Sequence, residues 1–172
     1  PTQRAFADLV LAWAADVARI YLEVSATGKQ QRLPTLRAWL GGSAGSGKST
    51  TLKTVVQHIR LLFQRAGVDV TVELTAYTGV AAFNIGFGAK TACSSFRVFP
   101  NAAWKNELSG DAFRQLEEQW RNVVLLIVDE ISFIGRAFFA RMHFRLQQAK
   151  RRVFSEAALD PHGYTFGDIA II

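Results

Sequence analysis

Apolar residues recur at helical spacing from the start of the chain. Phe6, Leu9, Val10, Trp13, Val17, Ile20, Tyr21 and Val24 mark one side of a long first helix, with Thr2 as its expected N-cap. Residues 25–35 are polar and break that pattern, and Pro34 closes the loop. A short apolar run, Leu36–Leu40, predicts the first strand; after a glycine-rich turn, Thr51–Arg65 reads as a helix ended by Gly67. Val68–Leu74 alternates β-branched and polar residues and predicts a second strand. Thr75–Gly79 turns into a short helix over Val80–Ile85, and Gly86–Gly88 leads into Thr91–Phe99. Asp111–Trp120 reads as a helix, and Val123–Val128 is a continuous apolar strand, the pattern of a sheet covered on both faces. A basic helix over Ile134–Arg151, a loop at Asp160–Gly163 and an apolar strand at Ile169–Ile172 complete the chain. Strands alternating with helices predict an α/β fold, a parallel sheet flanked by helices with right-handed crossovers.

Composition narrows this little. The chain has 172 residues, 49% of them hydrophobic and 20% charged, enough for one domain with a full core. It has no apolar run of about 18 residues, so no membrane span is expected. The single Cys93 excludes an internal disulfide and fits a reducing compartment; with no His–carboxylate pair beside it, it reads as a small buried residue. His58 and His143 fall within predicted helices without ligand partners at metal spacing and read as packing or surface groups.

Charge changes the picture more. The net charge is +6, and residues 136–152 alone carry Arg136, Arg141, Arg145, Lys150, Arg151 and Arg152 with no acid. Phe138, Met142, Leu146, Ala149 and Val153 form the apolar stripe of this helix, while Arg141, Arg145, Gln148 and Arg152 share another face. That face is either solvated or meets nucleic acid or a partner domain.

The glycine-rich turn carries the chemistry. Residues 42–49 read Gly-Ser-Ala-Gly-Ser-Gly-Lys-Ser and match Gly-x-x-x-x-Gly-Lys-[Ser/Thr] at every fixed position, between a strand and a helix. Gly42, Gly45 and Gly47 permit turns that a Cβ would block, and the exposed amides, with those of Ser43, Ala44, Ser46 and Thr50, form an anion nest. Lys48 reaches the β- and γ-phosphates, the Ser49 hydroxyl is a Mg²⁺ ligand, and the following helix aims its positive end at the same phosphates. The strand at 123–128 then runs into Asp129 and Glu130, the second half of such a site. Asp129 would hold Mg²⁺ through its water shell, and Glu130 would orient and deprotonate the attacking water. Asp160-Pro-His-Gly163 fits the Asp-x-x-Gly of a GTPase but does not directly follow an apolar strand, and no Asn-Lys-x-Asp occurs, so ATP is the expected nucleotide.

These residues resemble the petite-integration-frequency (PIF) DNA helicases, the RecD-like branch of superfamily one, along nearly the whole chain. The phosphate loop with Ala44 before the middle glycine looks like that family's form. Thr75-Ala-Tyr-Thr-Gly-Val-Ala-Ala-Phe-Asn-Ile-Gly86 is similar to its first single-strand-contacting motif, Thr91–Phe96 to the segment that follows, and Asp129-Glu-Ile-Ser132 with Ile134-Gly135 to its acidic motif. Gln3 matches the adenine-reading glutamine that opens these domains, whereas Cys93 stands where a histidine is usual.

The resemblance implies a RecA-like phosphate-loop NTPase using ATP and Mg²⁺. It implies 5′-to-3′ translocation on single-stranded DNA, with roles in repair, recombination and telomere maintenance, in an intracellular compartment that would be nucleus or mitochondrion in a eukaryote. Tyr77, Thr78, Gly79, Ser94, Ser95 and Phe96 become candidate DNA contacts, although an aromatic such as Tyr77 or Phe96 is more often core, and Thr78–Gly79 could be only a helix cap and a tight turn. It also implies that residues 1–172 are the front of a first motor domain, truncated before Gly-Asp-x-x-Gln and before a second RecA-like domain bearing the arginine finger. In such domains the strand at Ile169–Ile172 lies between Leu36–Leu40 and Val123–Val128, with Val68–Leu74 outermost. A protein-remodelling ATPase, or a fragment that binds nucleotide or DNA without turnover, remain the alternatives.

Overall fold

The computed structural model describes residues 3–43, 45–99, 107–150 and 165–172. Thr2, Ala44, Arg151, Arg152, Val153 and the loop at Asp160–Gly163 lie outside them. The elements run α1 (Gln3–Thr27), α2 (Lys48–Ala66), β1 (Thr71–Ala76), α3 (Gly79–Ile85), β2 (Lys90–Thr91), α4 (Ala92–Phe96), α5 (Gly110–Trp120), β3 (Val123–Asp129), α6 (Arg136–Lys150) and β4 (Ala170–Ile171). Among the described residues, 3-10 turns at Ile131–Phe133 and Thr165–Asp168 follow β3 and precede β4.

The sheet has the order β2-β1-β3-β4 and every pairing is parallel. Beyond β4 the chain before the phosphate loop adds a fifth line. Ile171 N donates to Leu36 O at 2.9 Å, and Ala38 N donates to Ile171 O at 3.0 Å. The expected insertion of Ile169–Ile172 between the phosphate-loop segment and β3 is therefore observed. Two details differ. The expected first strand at Leu36–Leu40 reduces to a single bridge, Arg37 to Ile171, and Trp39 is 69% exposed. The outermost line is β2, not the strand expected at Val68–Leu74, because Lys90 and Thr91 pair with Thr75 and Ala76.

Two apolar layers enclose the sheet. One joins Val10, Trp13 and Val17 of α1 with Val55, Ile59 and Phe63 of α2 over Leu74, Leu125 and Ile127. The other joins Phe96, Leu116, Trp120, Met142 and Leu146 over Leu126, Val128 and Ile171. The pairing register slips between Thr71 and Val72, so Val124 and Leu125 both face the first layer. Leu9, expected on the inner side of α1, is 53% exposed, and Ala14 and Ala18 fill the interface instead. The indole of Trp13 donates to Pro34 O at 2.7 Å and ties the polar loop to α1. Among the described residues no helix is long and apolar enough to cross a membrane.

The basic helix is the largest departure. Its apolar stripe behaves as expected, with Met142, Leu146 and Ala149 buried. The polar face is only partly solvated where it is described: Arg141 is half-exposed, Arg145 is buried, and Gln148 exchanges two hydrogen bonds with the Leu108 backbone. Lys150 is buried too, its ammonium donating to Arg121 O at 2.9 Å and Val123 O at 3.0 Å. Sequence periodicity cannot tell a solvated cationic face from one whose charges end on carbonyls across a helix interface.

Burial holds the Lys150 amine at about 8, against its ordinary 10.5. Between those values the unfolded chain binds the extra proton, so this group's contribution to stability rises as pH increases from about 8 to 10.5. Thermal melts of both proteins across that window will show wild type gaining stability relative to Lys150→Met as pH rises. The comparison is relative because the thiol of Cys93 and the phenol of Tyr21, both raised by burial, act with the opposite sign in each. A second prediction concerns Gly167, which has φ 60°, and where an added Cβ would lie 2.7 Å from Leu146 O of α6. Gly167→Ala will cost about 2–3 kcal/mol in denaturant unfolding. Gly28→Ala, with φ +68° but open space around it, will cost about 1 kcal/mol.

Candidate functional site

A parallel sheet delivers the ends of all its strands to one edge, and the turns that leave this edge carry the candidate chemistry. The phosphate loop follows the Leu36–Ala38 segment, the Tyr77–Thr78 turn follows β1, and the Asp129–Glu130 turn closes β3.

The phosphate loop is folded back on itself. Gly45 and Gly47 have φ 75° and 85°, the left-handed region open to glycine. Gly47 caps α2 without a side-chain bond, so the helix opens directly from the loop. The Lys48 ammonium donates to Gly42 O at 2.7 Å and Ser43 O at 2.8 Å. Ser46 N donates to Ser43 O at 3.3 Å, and Ser49 and Thr50 are exposed on the first turn of α2.

Gln3 braces this loop from α1. Its amide nitrogen donates to Ser46 O, and its amide oxygen accepts from Thr51 Oγ1 at 3.1 Å. Thr51 Oγ1 also lies 3.1 Å from Gly47 O. Beside this brace lies a cleft of about 440 Å³ lined by Gln3, Arg4, Ala7, Gly47, Thr50, Thr51, Thr54 and Val55. Thr51 was not singled out in the sequence; its position four residues after Gly47 on the helix is the signal that could have found it.

The acidic turn is equally constrained. Asp129 Oδ1 accepts from Glu130 N at 2.9 Å, Glu130 has φ 56°, and Phe133 N donates to Glu130 O at 2.9 Å. The Glu130 carboxylate accepts a hydrogen bond from the Thr78 hydroxyl at 3.2 Å. Thr78 caps α3, accepting from Ala81 N at 3.1 Å, and Gly79 is the exposed first residue of that helix. Tyr77 stacks on Phe133 at 6.3 Å with both rings exposed; Phe133 is another residue that sequence reasoning passed over.

The segment after β2 does not reach this surface intact. Ser95 and Phe96 are fully buried, which corrects the expectation that they meet a DNA strand. Phe96 packs on Trp120 at 4.9 Å, and Ser95 bonds Glu73 Oε1 at 2.9 Å, which also accepts from Lys90 and Gln119. Ser94 stays exposed, with its amide held by Thr91. Cys93 is half-buried, and burial raises its thiol pKa.

The donor set suits a magnesium nucleotide. A hydroxyl and a carboxylate are hard oxygen ligands, and a lysine resting on loop carbonyls sits on a glycine-rich nest at a helix start.

The PIF1-like helicase family profile matches residues 18–172. The ATP-dependent DNA helicase RRM3 of Saccharomyces cerevisiae is 29% identical over 118 residues, covering 65% of this chain and 14% of that protein. The crystal structure of the Pif1 helicase from Candida albicans superposes with a TM-score of 0.57 at 25% identity, over 90% of this chain and 30% of that one. A Bacteroides Pif1 helicase in complex with ADP-AlF3 and ssDNA gives 0.53 at 22% identity, over 88% and 30%. The chain thus spans about a seventh of the curated relative it matches and under a third of those solved chains.

If Gln3 is the brace of the loop, Gln3→Ala will loosen it locally. Amide hydrogen exchange at Ser46–Ser49 will speed up about tenfold, the scale of one lost hydrogen bond of about 1.4 kcal/mol, while exchange in β3 stays unchanged.

Proposed function

The chain belongs to the PIF1-like helicase family, and from that premise we propose that it forms part of an ATP-driven motor on single-stranded DNA. The observation that carries the proposal is the meeting of three turns at one sheet edge, two of them joined by the hydrogen bond from Thr78 to Glu130. Relatives named as ATP-dependent DNA helicases, and a Pif1 structure bound to ADP-AlF3 and ssDNA, support it. Residues 1–172 are then the front of the first motor domain, working with a second RecA-like domain that supplies the arginine finger.

In this reading Gly42–Thr50 hold the triphosphate, Ala44 included, and Lys48 exchanges the carbonyls of Gly42 and Ser43 for phosphate oxygens. Ser49 and Asp129 hold Mg²⁺, which when bound neutralises charge on the phosphates. Glu130 orients the attacking water and takes its proton. Gln3 lines the cleft beside the loop, and in this reading it would exchange its bonds to Ser46 and Thr51 for the adenine base. Tyr77, Thr78, Gly79 and Ser94 are the exposed remainder of the DNA candidates, with Phe133 added as the stacking partner of Tyr77. The direction of travel, 5′ to 3′, roles in repair, recombination and telomere maintenance, and a nuclear or mitochondrial site belong to the same proposal.

Lys48→Ala removes the loop's ammonium, and a fluorescent ATP analogue will bind about 2–4 kcal/mol more weakly, the scale of a buried charge-assisted contact. Equal affinities would refute the assignment of the loop. ATPase activity of the full-length protein that rises with single-stranded DNA would separate a DNA motor from a protein remodeller.

A further inference from the structure

The Thr78 hydroxyl is placed to act on Glu130. It sits between two groups, accepting from Ala81 N at 3.1 Å and donating to Glu130 Oε2 at 3.2 Å. One side chain therefore ties the start of α3 to the carboxylate beyond β3. A second contact runs parallel to it, because Tyr77 stacks on Phe133, whose amide closes the Glu130 turn. The turn after β1 thus grips the acidic turn at its carboxylate and at its backbone. Glu130 itself has φ 56°, an uncommon conformation for glutamate that its neighbours must hold in place.

We infer that Thr78 is a positioning residue that restrains Glu130 until the β1–α3 turn moves. A carboxylate oxygen that already accepts a hydroxyl proton has that lone pair occupied and is a poorer acceptor for a proton from water. The donor is fixed to α3 through Ala81, so displacement of the turn withdraws it from Glu130. Tyr77 on this turn and Phe133 on the acidic turn are both exposed, so a strand bound against Tyr77 would displace the β1–α3 turn. The inference rests on the reading of Glu130 as the water-activating group, and adds that strand binding raises turnover by releasing that group.

The test is a pair of substitutions differing in one terminal group, made in the full-length protein. Asparagine at position 78 offers an acceptor to Ala81 N and a donor to Glu130. Aspartate caps as well, being among the preferred N-caps, but has no proton to donate and repels the carboxylate. Thr78→Asp will raise ATP turnover without DNA about tenfold, the scale of one hydrogen bond to a charged group, and shrink the stimulation by saturating single-stranded DNA correspondingly. Thr78→Asn, which keeps both the cap and the donor, will show a smaller rise without DNA than Thr78→Asp, and the KM for ATP will hold in both, which also reports an intact phosphate loop. A rise without DNA cannot come from weakened strand binding. Equal behaviour of the two variants, or wild-type turnover in Thr78→Asp, would overturn the inference. Glu130→Gln, assayed alongside, separates the two levels. Its loss of turnover by about 10²-fold supports the underlying reading whatever position 78 does, and normal turnover would overturn that reading and the inference with it.

Discussion

Burial of β3 on both faces is the constraint on which the rest of the molecule depends. All six residues from Val123 to Val128 are at most 7% exposed. Each such side chain contributes about 1.5–3 kcal/mol of transfer free energy, so this strand has no alternative register that leaves it comparably covered. Its ladders to β1 and β4 then set the heights of two further lines of backbone. The carboxyl ends of β1 and β3 finish level, with Ala76 opposite Asp129, and so Thr78 comes to lie within reach of Glu130.

The phosphate loop depends on the same strand at one remove. A loop with four glycines among Gly41–Gly47 loses much conformational freedom on ordering, more than the bonds of Lys48 within it offset. Three external ties compensate. Ile171 bonds Leu36 and Ala38 on one side, Arg37 donates to Ile169 O at 2.7 Å, and Gln3 reaches across from α1. The first two run through β4 to β3; the third runs through the α1–α2 packing in the first apolar layer. The leading helix is therefore part of the site's support, which its amphipathic pattern alone does not reveal.

Legibility in the sequence followed the range of the forces involved. Elements with a strong local period, such as α5 and β3, lie within a residue of where the pattern placed them. The phosphate loop and the acidic pair were legible because their chemistry requires fixed residue types at fixed spacing. Parity across β3 was not, since the slip at Thr71/Val72 depends on how two strands meet. The strand at Leu36–Leu40 was overread: its apolar residues cover the sheet's edge at Leu36, but the chain is already leaving for the loop by Trp39. Phe96 and Ser95 were placed on a surface by resemblance, whereas Trp120 and Glu73, from distant parts of the chain, draw them inside.

The basic helix shows why a charge run is a poor guide to a binding face. Taking Arg145 and Lys150 out of water is costly, and burial lowers the pKa of both. What offsets that cost is position: Lys150 ends on the carbonyls of Arg121 and Val123, the residues that lead into β3, and Arg145 donates to Gln148, which ends on Leu108 before α5. These polar ties act less as sources of stability than as constraints on where α6 docks, since an apolar contact alone would allow the helix to slide along its stripe. Two of the six charges in residues 136–152 are thereby turned into architecture. The exposed features beside the catalytic candidates are instead the rings of Tyr77 and Phe133, a surface suited to stacking more than to ion pairing. Attraction of a polyanion and positioning at this edge would then be separate tasks performed by separate surfaces, with the positioning surface tied directly to Glu130 through Thr78.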